Sequence, residues 1–377
     1  MKKAEMNVAL IGSGLIGGRH IEAVQKTDGL RMAVICDVVA EKAEAAAAKY
    51  GVAQTSSNPD AVLADPSIDV VIVAVPNRFH QDVAVAAAQA GKHMLLEKPV
   101  AHNMESALKI KDACAKAGTV VRVGHNERCW DASILARKIV QAGVLGDVFT
   151  FRNVFSHSWD VVSIDDYRWN LEISGGASMM DITIHSVDLV RYLIGGQYNS
   201  VASSLRHVFM PKAVDDNVNL VAEMSNGASG TFTSDRFSPL LHFTTELYGT
   251  KGSLHLSQST VGGATTGPLT VFSSIEAPDL PEEMRDYLRP RTKGIHSTQK
   301  PDGWHHLYPP HRNPYLNQMR AFSRVLHGEE PGIALCTLDD GIHNLEVMHA
   351  AYTGMNERRW VDVPQPAGTP WVIPHYD

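Results

Sequence analysis

Gly12-Ser13-Gly14-Leu15-Ile16-Gly17 stands between an apolar run, Val8 to Ile11, and a stretch of helical pattern, Ile16 to Lys26. In such a G-x-G-x-x-G turn the first glycine permits a tight bend and the second lets the backbone approach a pyrophosphate. The third lets the helix pack closely on the strand. The helix that follows offers unpaired amides and the positive end of its dipole to an anion. By itself the pattern specifies little. Here a second apolar run, Met32 to Cys36, ends in Asp37, about 20 residues after Gly17, where an acidic side chain accepts the adenosine ribose hydroxyls. Asp37 also repels a 2′-phosphate, and no arginine follows it directly, so the residues predict NAD rather than NADP.

Two further groups have the residue types for proton and charge handling. Glu97-Lys98-Pro99 closes an apolar run, His93 to Leu96, at the edge of the sheet where doubly wound folds bind ligands. An ammonium there stabilises alkoxide character on a substrate oxygen. In the segment Ser174 to Asp188, at about 100° per residue, Ser178, Asp181, His185, Asp188 and Tyr192 fall in one stripe roughly 80° wide. The other faces are mostly Met, Ile, Leu and Val, so the stripe is expected to line something buried and polar. Asp181 and His185 also read as an i,i+4 structural pair. As metal ligands they lack a convincing third partner, and no metal is expected.

The elements that must hold these residues change character along the chain. Up to Gly124, strand runs (Val8-Ile11, Met32-Cys36, Val70-Val75, His93-Leu96, Val120-Val123) alternate with helical segments (Ile16-Lys26, Glu41-Lys49, His80-Gln89, Ser106-Ala117), as parallel strands with crossover helices require. Beyond it come long β-branched or aromatic runs, Asp147-His157, Val201-Phe209, Val218-Met224 and Gly230-Arg236, with Asn226-Gly227 placed for a hairpin. One long helix is expected over Ala177-Ile194 and two more over Leu316-Leu326 and Leu338-Tyr352, with loops from Ser257 to Pro314. The fold expected is an α/β Rossmann domain, residues 1–126, followed by an α+β domain, residues 127–377, with a large, mainly antiparallel, open-faced sheet.

Bulk properties exclude several classes. The 377 residues suit two domains, and 44% hydrophobic with 20% charged residues is ordinary globular usage. The 34 basic residues against 41 acidic ones form no basic stripe, which argues against nucleic acid. No apolar stretch approaches the roughly 20 residues that span a bilayer. The four cysteines, Cys36, Cys114, Cys129 and Cys336, have no paired spacing, as suits a reducing, cytoplasmic setting.

Taken in order, these motifs make the chain resemble the Gfo/Idh/MocA family (glucose-fructose oxidoreductase, inositol dehydrogenase and MocA-like proteins) over nearly its whole length. Also part of the likeness are Ala74-Val75-Pro76-Asn77 with His80, Val123-Gly124-His125-Asn126, and Gly175-Gly176 ahead of Asp181 and His185. Ala177 and Thr183 depart from it, since members often have glycine at both. The resemblance implies a cis peptide before Pro99 and Lys98, Asp181 and His185 as the catalytic set. It implies a cofactor site of Gly12, Gly14, Leu15, Ile16, Gly17, Asp37, Val75, Pro76, Asn77, His80, Glu97 and Lys98, and it places Trp169 near the substrate. Asn126, Arg128 and His157 are candidate walls of that pocket, as are Trp304, His305 and His306, although these last three read more readily as an ordinary histidine-rich surface loop.

The activity implied is hydride transfer from a secondary hydroxyl of a sugar, inositol, polyol or glycoside to NAD. Lys98 would polarise the hydroxyl, His185 would take its proton, and Asp181 would orient His185 or anchor a neighbouring hydroxyl. Three alternatives use the same residues: eliminative glycoside cleavage that recycles NAD, a dihydrodiol dehydrogenase, and a non-catalytic NAD-binding sensor. Retention of Lys98, Asp181 and His185 together argues against the sensor. The expected partners are a small polyhydroxylated substrate and further copies of the chain, as a homodimer or homotetramer. An uncovered face of the second sheet would be an apolar patch suited to that contact.

Overall fold

In the computed structural model, residues 5–158, 163–238, 241–257, 268–273, 280–287 and 303–376 are described. The first apolar runs form β1 (Met6–Ile11) and β2 (Leu30–Cys36), followed by β3 (Gln54–Ser56), β4 (Val70–Val73), β5 (His93–Leu96) and β6 (Val121–Val123). All pair in parallel, in the order β3-β2-β1-β4-β5-β6. The crossovers are α1 (Leu15–Gln25), α2 (Ala40–Tyr50), α3 (Pro59–Ala64), α4 (His80–Gln89) and α5 (Met104–Ala117). Every residue of β4 is buried, as continuous hydrophobicity in a central parallel strand demands. The expected strand to Val75 stops at Val73, because Pro76 restricts the residue before it and the chain turns into a 3₁₀ turn, Asn77–Phe79. Two elements had no sequence signal. β3 has three residues on a sheet edge and α3 six, too short for either period to show.

These elements form one unit of Met1–Cys129, Asn170–Gly175 and Arg312–Leu345. The helix Pro314–His327 packs on α1 within it, and Tyr315 meets the His20 ring edge-on at 5.3 Å. The chain therefore does not divide at a single point.

The second unit comprises Trp130–Trp169, Gly176–His311 and Glu346–Asp377. Its strands are β7 (Val148–Ser156), β8 (Tyr198–Arg206), β9 (Asn217–Met224), β10 (Ser229–Asp235), β11 (His242–Gly249), β12 (Gly252–Ser257), β13 (Leu269–Ser273), β14 (Trp304–Leu307) and β15 (Val361–Asp362). They form one nine-stranded sheet, β14-β13-β12-β11-β7-β10-β9-β8-β15. Every pair is antiparallel except β7 with β10, whose connection includes the helix Ile184–Ile194. Asn226-Gly227 does turn the β9–β10 hairpin, with Gly227 at φ +85°. The expected loop region from Ser257 to Pro314 is corrected where it is described. Leu269–Ser273 and Trp304–Leu307 are strands and Glu282–Arg285 is a short helix, while 258–267, 274–279 and 288–302 lie outside the described residues.

One face of the sheet packs on the helices Asp131–Gln141 and Ile184–Ile194. β9 alternates strictly between buried and exposed positions, so its other face is open. Following the register across that face gives Ala202, Val221, Thr231, Arg152, Glu246, His255, Thr270 and His306. The open face is thus mostly polar and charged, not the apolar patch expected.

Candidate active site

The first unit gathers its site residues at the carboxyl ends of four adjacent strands, β2, β1, β4 and β5, with the switch in strand order between β1 and β4. Gly12 has φ +98°, and a Cβ there would collide with the Ala74 carbonyl, so the loop requires glycine to pass the end of β4. A Cβ on Gly17 would strike the Gly12 carbonyl, which is the close packing of helix on strand that the third glycine permits. A Cβ on Gly14 would meet nothing within 4 Å, and α1 begins there without a side-chain cap. Asn103 caps α5 through the Ser106 N–H and Asn58 caps α3, while α2 and α4, like α1, have no side-chain cap. Open space before uncapped amides fits a dinucleotide pyrophosphate. Leu15 is exposed, Ile16 half-buried and Gly17 buried along the start of that helix.

Asp37 shapes the same loop. Its Oδ2 accepts from the Ser13 N–H and hydroxyl, both at 2.9 Å, and its Oδ1 accepts from the Val39 N–H at 3.0 Å. An ionised carboxylate has about four lone-pair sites, so acceptor capacity remains for ribose hydroxyls.

At the end of β5, Glu97 is buried and its Oε1 accepts from His20 Nε2 at 2.7 Å. Burial alone would raise the Glu97 carboxyl. The hydrogen bond and charge of His20, then the charge and N–H of Lys98, outweigh that and hold it below its usual range. The Lys98–Pro99 peptide is cis, as the resemblance implies. The buried His80 ring lies between two carbonyls, with Nδ1 2.8 Å from Pro99 O and Nε2 2.9 Å from Val75 O. Burial lowers the pKa of His80 against the pull of those carbonyls and the Glu97 charge. A neutral ring carries one N–H, so His80 donates to either the Pro99 or the Val75 carbonyl and not to both at once. Asn77 is also buried, and its amide donates to Ser174 O at 2.7 Å.

In the second unit the helix that carries Asp181 and His185 is not one regular α-helix. Met179–Thr183 forms a π-turn ahead of Ile184–Ile194, and the Thr183 hydroxyl donates to the Ser178 carbonyl five residues back, at 3.3 Å. Thr183 thus serves the wider turn directly. A Cβ on Gly176, at φ +148°, would collide with the Tyr352 hydroxyl, so glycine is needed at the entry to this helix. Of the expected polar stripe, Ser178, His185, Asp188 and Tyr192 are buried and Asp181 is half-buried, and the π-turn breaks the regular 100° spacing between Ser178 and His185. His185 lies 6.2 Å from the Phe155 ring, which stacks on Phe243.

Asp181 is held by two arginines. Its Oδ2 pairs with Arg236 Nη2, and its Oδ1 lies 3.4 Å from Arg168 Nε. Arg168 also pairs with Asp166 at 2.8 Å, while Arg236 donates to His157 Nε2 at 2.8 Å and lies over the Trp169 ring. Because a guanidinium only donates, His157 Nε2 accepts and its Nδ1–H faces the Ser158 carbonyl at 3.0 Å.

Several expected pocket walls have other partners. Trp169 is buried, its indole N–H donates to Ser163 O, and its ring lies under the Arg236 guanidinium. Arg128 is buried against Asp340 and the Ala334 carbonyl, and the buried Asn126 donates to Glu127. His305 and His306 belong to β14 at the sheet edge, with three strands between it and β7, and the Trp304 side chain lies outside the described residues. Arg168, Arg236 and His20 were missed. His20 carried one weak signal, a histidine on the helix face three residues beyond Gly17.

A switch-point Rossmann sheet whose glycine loop leaves helix amides open is the architecture of a dinucleotide-binding protein. Residues 6–125 match the oxidoreductase family with an NAD-binding Rossmann fold, and residues 134–255 match the GFO/IDH/MocA C-terminal domain. The chain belongs to the Gfo/Idh/MocA family, and its cofactor is NAD. It is 31% identical to levoglucosan dehydrogenase of Pseudarthrobacter phenanthrenivorans over 283 residues, 66% of this chain and 73% of that one. It is 29% identical to the NAD-dependent scyllo-inositol 2-dehydrogenase of Bacillus subtilis over 258 residues, 67% of this chain and 74% of that one. A levoglucosan dehydrogenase solved in complex with NADH has a TM-score of 0.79 at 26% identity, covering 96% of this chain and all of that one.

Proposed function

We propose that this NAD-dependent dehydrogenase oxidises a secondary hydroxyl of a cyclic polyol or sugar, an inositol, an anhydrosugar or a glycoside. The observation that carries this reading is the half-buried carboxylate of Asp181, fixed by two arginines on the turn that leads to His185, in a chain whose glycine loop fits NAD. NAD, held by the glycine loop and Asp37, would supply the hydride acceptor for the carbinol carbon. Lys98 stabilises negative charge on the reacting oxygen, His185 takes its proton, and Asp181 accepts from a neighbouring hydroxyl. Glu97 and His20 keep the Lys98 segment in place. Cofactor binding is assigned to residues 1–126, and substrate binding and assembly to 127–377. Four free, buried cysteines support a cytoplasmic protein. Among the described residues, no helix is long and apolar enough to cross a membrane.

The test is NADH formation by the purified protein with NAD and a panel of levoglucosan, inositols and glucosides. Glycoside consumption without NADH accumulation would favour the eliminative reaction instead. Lys98→Ala and His185→Ala are each expected to lower kcat roughly 10²-fold or more with little change in NAD affinity. In the oxidative direction the acid limb of kcat should disappear in His185→Ala, since a neutral imidazole is needed to accept the proton. Near-normal kcat in both variants would refute the assignment.

A further inference from the structure

Arg236 follows the last residue of β10, and its side chain is 2% exposed, against 18% for Asp181. Its guanidinium divides between two groups, with Nη2 on Asp181 and Nη1 on His157 Nε2, while the Trp169 ring centroid lies 5.3 Å from its Cζ. Burial lowers the Arg236 pKa to about 9, the Arg168 charge adds to that effect and Asp166 opposes it. A cation desolvated this far needs close anionic and acceptor partners to remain in place. Asp181 supplies the anion, and its second oxygen is held by Arg168. One cation on each oxygen fixes the plane of the carboxylate and still leaves lone pairs for hydroxyl donors. The more accessible member of the pair is Asp181, so Arg236 itself is out of a sugar's reach.

We propose that Arg236 is a positioning residue, which sets the Asp181 carboxylate at the angle at which it meets substrate hydroxyls, with His157 holding the other end of the guanidinium. Substrate selectivity then depends on a residue that touches no substrate. This rests on the reading of Asp181 as a substrate contact given above. Arginine suits the position because its planar fork reaches two acceptors at once, which the single ammonium of lysine does not reproduce. Asp166 and Arg168 complete the charge set, so that two carboxylates face two guanidiniums and the site stays balanced.

The experiment is steady-state kinetics of the full chain with whichever of levoglucosan, myo-inositol, scyllo-inositol and methyl glucoside it oxidises fastest. Wild type, Arg236→Gln, Arg236→Lys, Asp181→Asn and the Arg236→Gln/Asp181→Asn double variant are compared, with NAD affinity and circular dichroism measured on each preparation. Arg236→Gln is expected to raise KM roughly tenfold or more, with the NAD Kd unchanged within about twofold. Arg236→Lys should recover part of that loss. In the double variant the loss should be no greater than in Asp181→Asn alone, because Arg236 acts through Asp181. Should Arg236→Gln fold poorly, Arg236→Lys serves instead, and its smaller rise in KM should vanish on the Asp181→Asn background. A folded Arg236 variant with wild-type KM, or losses that multiply independently with Asp181→Asn, overturns the proposal. If Asp181→Asn itself leaves kcat and KM unchanged, the reading of the site fails rather than the role of Arg236 alone.

Discussion

At the scale of single residues, Asp37 does two things at once. It closes the glycine loop through Ser13, and it keeps lone pairs that could accept from the adenosine ribose hydroxyls of the proposed cofactor site. Removing it takes away a charged acceptor and the charge that disfavours a 2′-phosphate. Asp37→Ala is therefore expected to lower NAD affinity about tenfold and to narrow the gap to NADP, read by fluorescence titration of both dinucleotides. A wild type that binds NADP more tightly would contradict this. Asp37 was legible because its distance from Gly17 is set within one β-α-β unit. His20 was not, because its partner Glu97 is 77 residues away and the pair forms only when α1 lies against the end of β5.

At the scale of elements, the turn bearing Asp181 is held from outside its own sequence. The Ala177 and Met179 N–H groups donate to the Asp215 carboxylate, and the Ser178 N–H donates to the Asp215 carbonyl. Full burial, with the Asp216 charge adding, pushes the Asp215 carboxyl up to about 6 in spite of those amides. Because this folded value exceeds the ordinary 3.8, the stability linked to Asp215 is complete below about pH 4 and is lost as pH rises through 6. The difference corresponds to roughly 3 kcal/mol. Urea unfolding of wild type and Asp215→Asn from pH 4 to 7 should show wild type gaining on the variant toward the acid end. A gap that stays constant with pH would show that the carboxyl does not titrate in this range. The helical pattern over Ala177–Ile194 was readable from periodicity, but its π-turn was not, since it depends on the Thr183 hydroxyl and the cap supplied by Asp215.

At the scale of the whole molecule, the open face of the nine-stranded sheet decides what an assembly would bury. Arg152 and Glu246 lie opposite each other on β7 and β11 at 3.8 Å, and the Tyr248 hydroxyl donates to Glu246. A homodimer or homotetramer formed through this face would be held by polar and charged contacts, which salt screens. The expected result is an oligomer by light scattering at micromolar protein in low salt, shifting toward smaller species near 1 M salt. A monomer throughout would rule out the association.

What the sequence determined by itself lies within short stretches of chain. The glycine loop, Asp37, Glu97-Lys98-Pro99 and the alternation of strand and helix are local, because one β-α-β unit fixes the distance between its own ends and so fixes where those residues stand. The tertiary structure decided how distant segments meet. Parallel register pairs Asp235 of β10 with Ser156 of β7, and this alone brings Arg236 to His157 across 79 residues. A period-2 pattern is satisfied equally by slips of two residues, so that register, and with it the Arg236–Asp181–His157 cluster, is settled only when the sheet packs on its helices.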